Sequence, residues 1–185
     1  MCYFITAVLP AKMVSQSVKT IFHEHGFGYQ PVSNASFQEI LSAGDQQILT
    51  TPGTCDCGTV LGSASTGNTS PSARIERDLQ KLRSKGWSEA KIQRWQSQRE
   101  DSSHNHHHSS ESERWILLIH KLLEQPQAKR IGLFLHWYSA SVELEHLIIS
   151  DTRKVQLSEL TVDFLTHLQE DVVYAFVNDQ KGWIG

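Results

Sequence analysis

The spacing of apolar residues along the chain predicts strands and helices that interleave. Residues 3–8 are rich in aromatic and β-branched side chains, which indicates a first strand. The nearly continuous apolar run from Ile131 to Tyr138 is typical of a central strand. Apolar residues recur at helical spacing over 11–25 and 113–124, and this predicts two helices.

Shorter patterns complete the predicted elements. Residues 47–51 and 59–61 favour short strands, and residues 142–149 favour a strand that returns after a hairpin loop at 139–141. Ser158 is the predicted N-cap of a helix, with a hydrophobic staple between Leu157 and Val162. Residues 172–177 close the chain as a strand.

The order of these elements predicts an α+β fold. Strands and helices alternate too irregularly for a doubly wound sheet, and each half of the chain is small for a core of its own. We therefore expect residues 1–185 to form one domain with a single-core mixed sheet, helices mainly on one face, and a helical insertion at about 72–100. Residues 101–112, rich in His and Ser, are expected to be a flexible linker inside it.

Composition places the chain among globular proteins. Hydrophobic residues make up 39% and charged residues 20%, which is enough apolar material for a core. No apolar run is long enough to span a bilayer. The first ten residues are apolar but lack a basic leading segment, so we interpret them as a strand and not as a signal peptide. With three cysteines, an odd number, we expect reduced thiols in a bacterial-type cytoplasm.

The most unusual chemistry lies in the turn Cys55-Asp56-Cys57-Gly58. Two thiols separated by one residue offer two ligands to zinc, which prefers four nitrogen or sulfur ligands. Cys2 is a candidate third ligand if the first strand lies beside the turn. Candidate fourth ligands are His23, His25, His136 and His146. Paired C-x-x-C units are missing from the sequence. We therefore expect small residues in a tight turn that holds no cofactor, and a zinc site is the alternative.

Cys2 has a second interpretation. Removal of Met1 would leave an N-terminal cysteine whose amine could act as its own base. The Gly-rich and Asn/Asp context that would support this chemistry is missing from the sequence.

Charge is unevenly distributed. Residues 71–100 carry eight Lys/Arg and four Asp/Glu, whereas residues 131–185 carry three Lys/Arg and eight Asp/Glu. The basic helices allow a nucleic-acid hypothesis, but acidic residues interrupt them and the net charge is −3, so nucleic acid is not the expected partner. The cluster His104–His108 is expected to chelate metals in vitro without fixed geometry.

No sequence motif demands catalysis. Dinucleotide-binding, phosphate-loop and nucleophile-elbow glycine patterns are missing from the sequence. The leading hypothesis is therefore a non-catalytic module that binds a basic protein, such as an inhibitor or a toxin-neutralising immunity protein, without a membrane. Alternatives are a thiol- or zinc-dependent enzyme centred on Cys55 and Cys57, and nucleic-acid binding through 72–100. Candidate partner-binding residues are Glu143, Glu145, Glu170 and Asp171.

Overall fold

The computed structural model describes residues 2–42, 44–64, 71–103 and 108–178. At 63–64, 71–75, 77, 98–103 and 108–109 it describes the backbone alone. Its centre is one six-stranded sheet in the order β2-β3-β1-β4-β6-β5. The strands are β1 (Cys2–Pro10), β2 (Gln30–Val32), β3 (Asp45–Leu49), β4 (Arg130–Tyr138), β5 (Asp151–Gln156) and β6 (Val172–Val177).

Most strand pairs are antiparallel, and β5 and β6 run parallel. The expected α+β fold with a mixed sheet is therefore confirmed. The helices are α1 (Gln16–Glu24), α2 (Ala35–Gln38), α3 (Val60–Ala64), α4 (Pro71–Ser84), α5 (Glu89–Ser103), α6 (His108–Glu124) and α7 (Val162–Thr166). The helices α4 and α5 form the predicted insertion.

Alternation along β1 divides the core between the two faces of the sheet. Tyr3, Ile5 and Leu9 pack into the larger cluster, together with apolar residues of α1, α3, α6 and α7. Val8 faces the opposite side, where a smaller cluster includes Phe37 of α2 and Phe134 of β4. Helices thus cover mainly one face.

The predicted hairpin after β4 is wrong. Residues 139–150 form turns and coil, not a strand, and β4 pairs with β1 and β6. The apolar alternation at Val142 and Leu147 is explained by burial, because both side chains pack onto the second face of the sheet from a loop. The buried Asn34 side chain donates hydrogen bonds to the carbonyls of Val142 and Glu145, at 2.8 and 2.7 Å, in place of a strand partner.

Two further predictions of local structure need correction, and one strand was not predicted. Residues 59–61 begin α3 and do not form a strand. The last helix begins after Thr161, whose hydroxyl accepts from the Phe164 N–H at 3.1 Å, so Ser158 is not its N-cap. The strand β5 was not predicted because it is polar and lies at the edge of the sheet, where only Val155 is buried.

The His/Ser-rich segment lies between two helices. Residues 101–103 end α5 and residues 108–112 begin α6, with Glu111 and Ser112 buried. The rest of the His tract falls outside the described residues. The flexible linker and the single domain both stay predictions. Among the residues that the structure describes, no helix has both the length and the apolar character needed to cross a bilayer.

Candidate functional site: a three-cysteine cluster

The site forms where a loop replaces a strand beside β1. The neighbouring strand β3 pairs with β1 from Thr6 to Pro10 and ends there, which leaves the first half of β1 open on that side. The loop after β3 occupies this edge through backbone hydrogen bonds. The Thr50 N–H donates to the Ile5 carbonyl at 3.1 Å, and the Asp56 N–H donates to the Tyr3 carbonyl at 2.9 Å.

This arrangement brings the three cysteines together. Cys2 begins β1, opposite Tyr138 of β4, and the loop carries Cys55 and Cys57 alongside it. The three sulfur atoms lie within 4.8 Å of one another. All three are free thiols, and all three residues are half-buried. The convergence of Cys2 with the turn, which the sequence raised as a condition for a third ligand, is present in the structure.

The Asp56 carboxylate anchors the turn. Its Oδ2 atom accepts the Ile5 N–H at 2.9 Å and the Thr51 hydroxyl. Asp56 is 2% exposed. Burial raises the pKa of Asp56 to about 7, against the opposing effect of the hydrogen bonds from Thr51 and Ile5. The carboxylate therefore faces the protein interior and fastens the loop to β1, and the flanking thiols stay half-exposed.

The start of α3 holds the other side of the turn. The Thr59 N–H and hydroxyl both donate to the Asp56 carbonyl, at 3.0 and 2.8 Å. Gly62 approaches the same carbonyl so closely that a Cβ at position 62 would lie 1.8 Å from the oxygen. The buried Glu111 of α6 accepts the Val60 N–H at 3.1 Å. The cysteine turn is therefore fixed to both β1 and the helical layer.

The pKa values of the three thiols shift in different directions. Hydrogen bonds from Cys2 and Cys57 lower the pKa of Cys55 far below that of an ordinary thiol. Hydrogen bonding to the other two cysteines, together with burial, raises the pKa of Cys57. The pKa of Cys2 is also raised, mainly by its hydrogen bond with Cys55. The three thiols thus shift one another's pKa values in opposite directions. The Tyr3 N–H also donates to the Cys57 sulfur at 3.2 Å.

The histidines predicted as fourth ligands lie outside the group of sulfur atoms. His136 contacts Asp171 through Nδ1, and these two side chains form a separate group with Glu170 within 4.8 Å. His146 lies 3.0 Å from the Ser36 hydroxyl, and His25 lies 2.8 Å from the Ile21 carbonyl. His23 is exposed on α1. Within the described ranges, the group around the sulfur atoms therefore contains the three cysteines alone.

The predicted partner-binding acids occupy different environments. Glu145 accepts hydrogen bonds from the Ser139 hydroxyl and from the N–H groups of Ser139 and Ala140, so it closes a turn. Glu170 pairs with Lys81 of α4 at 3.2 Å. Glu143 is exposed, and it does not share a strand with Glu145. Their role in binding a partner stays a prediction.

Tyr138 ends β4, and Asp171 lies directly before β6. Asp171 has a positive φ of 64°, and its N–H donates to the Leu135 carbonyl at 3.0 Å. Burial, followed by the charges of Asp171, Glu145 and Glu143, raises the pKa of the Tyr138 hydroxyl. The acids therefore act on a common region around Tyr138.

Several basic residues of the insertion contact other residues of this protein. Arg83 pairs with Glu89 at 2.9 Å, and Lys85 lies over the Trp137 ring at 4.8 Å from its centroid. Lys91 similarly lies 3.9 Å from the centre of the Trp87 ring. Of these three contacts, only that of Lys85 with Trp137 joins the insertion to the sheet. Nucleic-acid binding stays an untested alternative.

The sequence pattern indicated the cysteines as candidate ligands but did not indicate the role of Asp56. The available signal was its type: Asp commonly accepts backbone N–H bonds in turns. What the sequence did not show is that the donor would be Ile5, 51 residues away.

No protein family, no curated protein and no solved structure matches this chain.

Proposed function

We propose that this protein binds a thiophilic divalent metal ion, zinc, through Cys2, Cys55 and Cys57. The observation that carries the proposal is the approach of three sulfur atoms to within 4.8 Å of one another across more than 50 residues of sequence. Zinc binds cysteine sulfur at about 2.3 Å in tetrahedral geometry, which places two bound sulfurs about 3.8 Å apart. Movements of about 1 Å or less are therefore enough to close the cluster on an ion.

Electrostatics support the same ligands. Three thiols in contact resist losing all their protons without a cation, as the raised pKa values of Cys2 and Cys57 indicate. A divalent ion removes that penalty because it compensates two of the three thiolate charges. The Tyr3 N–H donates to the Cys57 sulfur, and a backbone donor of this kind stabilises a thiolate bound to a metal.

Zinc content measured on the full chain tests the proposal. His104, His106, His107 and His108 are first replaced by Ala, so that the imidazoles of this His-rich tract cannot bind metal. We expect one zinc per chain after dialysis against a weak chelator. The ion should be lost when all three cysteines become Ser, and its affinity should fall at least about tenfold in each single variant, as seen when metal-site contacts are removed.

Cys2→Ser is the decisive single variant, because it leaves the C-x-C turn intact. The matched control is Thr54→Ser, an exposed position next to Cys55. Zinc that persists in the triple Ser variant, or a zinc affinity that is unchanged in Cys2→Ser, would overturn the proposal. Formation of a disulfide in air without any zinc binding would identify the cluster as a redox site instead.

A second candidate function, binding to another protein, is favoured by one exposed apolar pair. Leu144 and Ile148 of the loop at 139–150 are 81% and 74% exposed. Glu143 is exposed next to Leu144, and its charge acts on the Tyr138 hydroxyl together with those of Glu145 and Asp171. Apolar side chains beside acidic groups suit a partner with a basic, partly apolar surface.

Substitution of the pair tests this second function. Leu144→Ser with Ile148→Ser should abolish capture of a partner from the native host, and Glu143→Lys should weaken it. Leu117→Ser is the matched control, because Leu117 is 58% exposed on α6. A partner retained by the double variant, or lost equally in the control, would contradict this surface.

A further inference from the structure

A cavity of about 180 Å³ lies on the face of the sheet that carries the smaller core cluster. Its floor is formed by residues of the neighbouring strands β1, β4 and β6, namely Val8, Gly132, Val173 and Ala175. Gly132 pairs with Val8 on one side and with Ala175 on the other. Because glycine and alanine stand side by side here, the sheet has a hollow that larger side chains would fill.

Other elements enclose the cavity at its sides. Ile40 and Leu41, which follow α2, line one side, and Thr152 of the edge strand β5 lines another. Ile40 is 50% exposed, and Thr152 is also exposed. The cavity is therefore open to solvent at its rim.

Three polar residues of the lining contact one another. The Arg130 Nη2 atom donates to the Ser42 hydroxyl and to Asp45 Oδ2. A guanidinium has further N–H donors on Nε and Nη1, and a carboxylate has a second acceptor oxygen, Oδ1. This polar group can therefore donate a hydrogen bond to a ligand and accept one from it.

The size and the charge of the cavity select the kind of ligand. An apolar cavity of about 150 Å³ holds benzene, so this one has room for a single aromatic ring with a small substituent. Among the described residues of the lining, the charged ones are Arg130 and Asp45, which form an ion pair. Their charges compensate each other, so an uncharged ligand is favoured over an ion.

We propose that this cavity binds an uncharged phenol-type compound, with its ring on the cavity floor and its hydroxyl between Arg130 and Asp45. Burial of the ring against apolar side chains supplies most of the affinity. The hydroxyl donates to Asp45 and accepts from Arg130, and these bonds fix the orientation of the ring. Among the described residues that line the cavity there is no cysteine, so this proposal does not depend on the zinc site.

Titration of the full chain with p-cresol, followed by ¹H–¹⁵N NMR, tests the proposal. We expect saturable shifts at the amides of Gly132, Val173 and Ala175, with a Kd on the order of 1 mM or lower. The methyl ether 4-methylanisole is the matched control ligand, because it keeps the ring and the acceptor oxygen but has no donor. It should bind about tenfold more weakly, since a hydrogen bond to a charged group is lost.

Ala175→Ile fills the cavity from its floor and should abolish the shifts that p-cresol causes. Ala140→Ile is the matched control, because it makes the same change at an exposed position of the 139–150 loop and should leave the Kd unchanged. Urea denaturation verifies that both variants are folded. If Ala175→Ile does not fold, Ala175→Val takes its place, since valine suits a strand and intrudes less, and it should weaken binding at least about threefold.

Four outcomes would overturn the proposal. Binding of p-cresol that persists unchanged in the folded Ala175 variant would place the ligand elsewhere. Equal affinity for 4-methylanisole would exclude recognition of the hydroxyl. Tighter binding of benzoate than of p-cresol would assign the cavity to an anion. Shifts at the cavity floor that follow the protein concentration, and do not respond to p-cresol, would assign the cavity to contact with a second copy of the chain.

Discussion

Asp56→Ala tests how the cysteine turn is fastened to the sheet. The substitution removes the acceptor of the Ile5 N–H, a bond of 2.9 Å at a residue that is 1% exposed. A buried donor left without a partner costs roughly 1–3 kcal/mol. The half-exposed Thr51 hydroxyl can turn to water and adds little. We therefore expect the free energy of unfolding to fall by about 2 kcal/mol.

The acceptor, and not the charge, should account for this loss. Burial raises the pKa of Asp56 to about 7, so the folded protein disfavours the ionised carboxylate. Asp56→Asn keeps a carbonyl oxygen that can accept the Ile5 N–H. We expect it to cost less than half of the alanine substitution.

Urea denaturation of the metal-free, reduced protein measures both effects through tryptophan fluorescence. With a slope of about 2 kcal/mol per M, a loss of 2 kcal/mol lowers the midpoint by about 1 M. Thr54→Ala, at an exposed position of the same loop, should leave the midpoint unchanged. An unchanged midpoint in Asp56→Ala would refute the fastening role. Equal losses in the Ala and Asn variants would show that the charge matters after all.

Three further perturbations have defined outcomes. Gly62→Ala should destabilise the fold by about 3 kcal/mol in urea, because its Cβ would lie 1.8 Å from the Asp56 carbonyl oxygen; a wild-type midpoint would contradict that packing. Asn34→Ala should cost about 3 kcal/mol, since it removes the α2 cap and two bonds to the 139–150 loop; thermal melting that stays at the wild-type temperature would argue against it. Burial opposes the ionisation of Glu145, but its hydrogen bonds outweigh burial and hold its pKa below the usual 4.5. The ionised Glu145 therefore stabilises the fold above pH 4.5, and this stabilisation is lost as the pH falls further. Glu145→Gln should thus flatten the dependence of the unfolding free energy on pH below 4.5, whereas the exposed Glu143→Gln should keep the wild-type slope. Equal slopes in both variants would show that the Glu145 bonds do not stabilise the fold.

Patterns with a single physical explanation were predicted well from the sequence. The apolar run from Ile131 to Tyr138 became the central strand β4, because only burial on both faces accommodates such a run. The aromatic and β-branched start of the chain became β1. Patterns with two explanations were not resolved: Val142 and Leu147 alternate as in a strand, yet they belong to a loop laid on the sheet.

The candidate site shows the same division. The chemistry follows directly from the residue types: thiols at Cys2, Cys55 and Cys57, and an Asp in the turn between two of them. The long-range contacts depend on the folded chain: β3 ends early, the Cys55–Cys57 turn takes its place along β1, and three sulfurs therefore meet. The reason is that residue types set what a side chain can bind, whereas contacts between residues 2 and 55 depend on strand pairing, which no local pattern encodes.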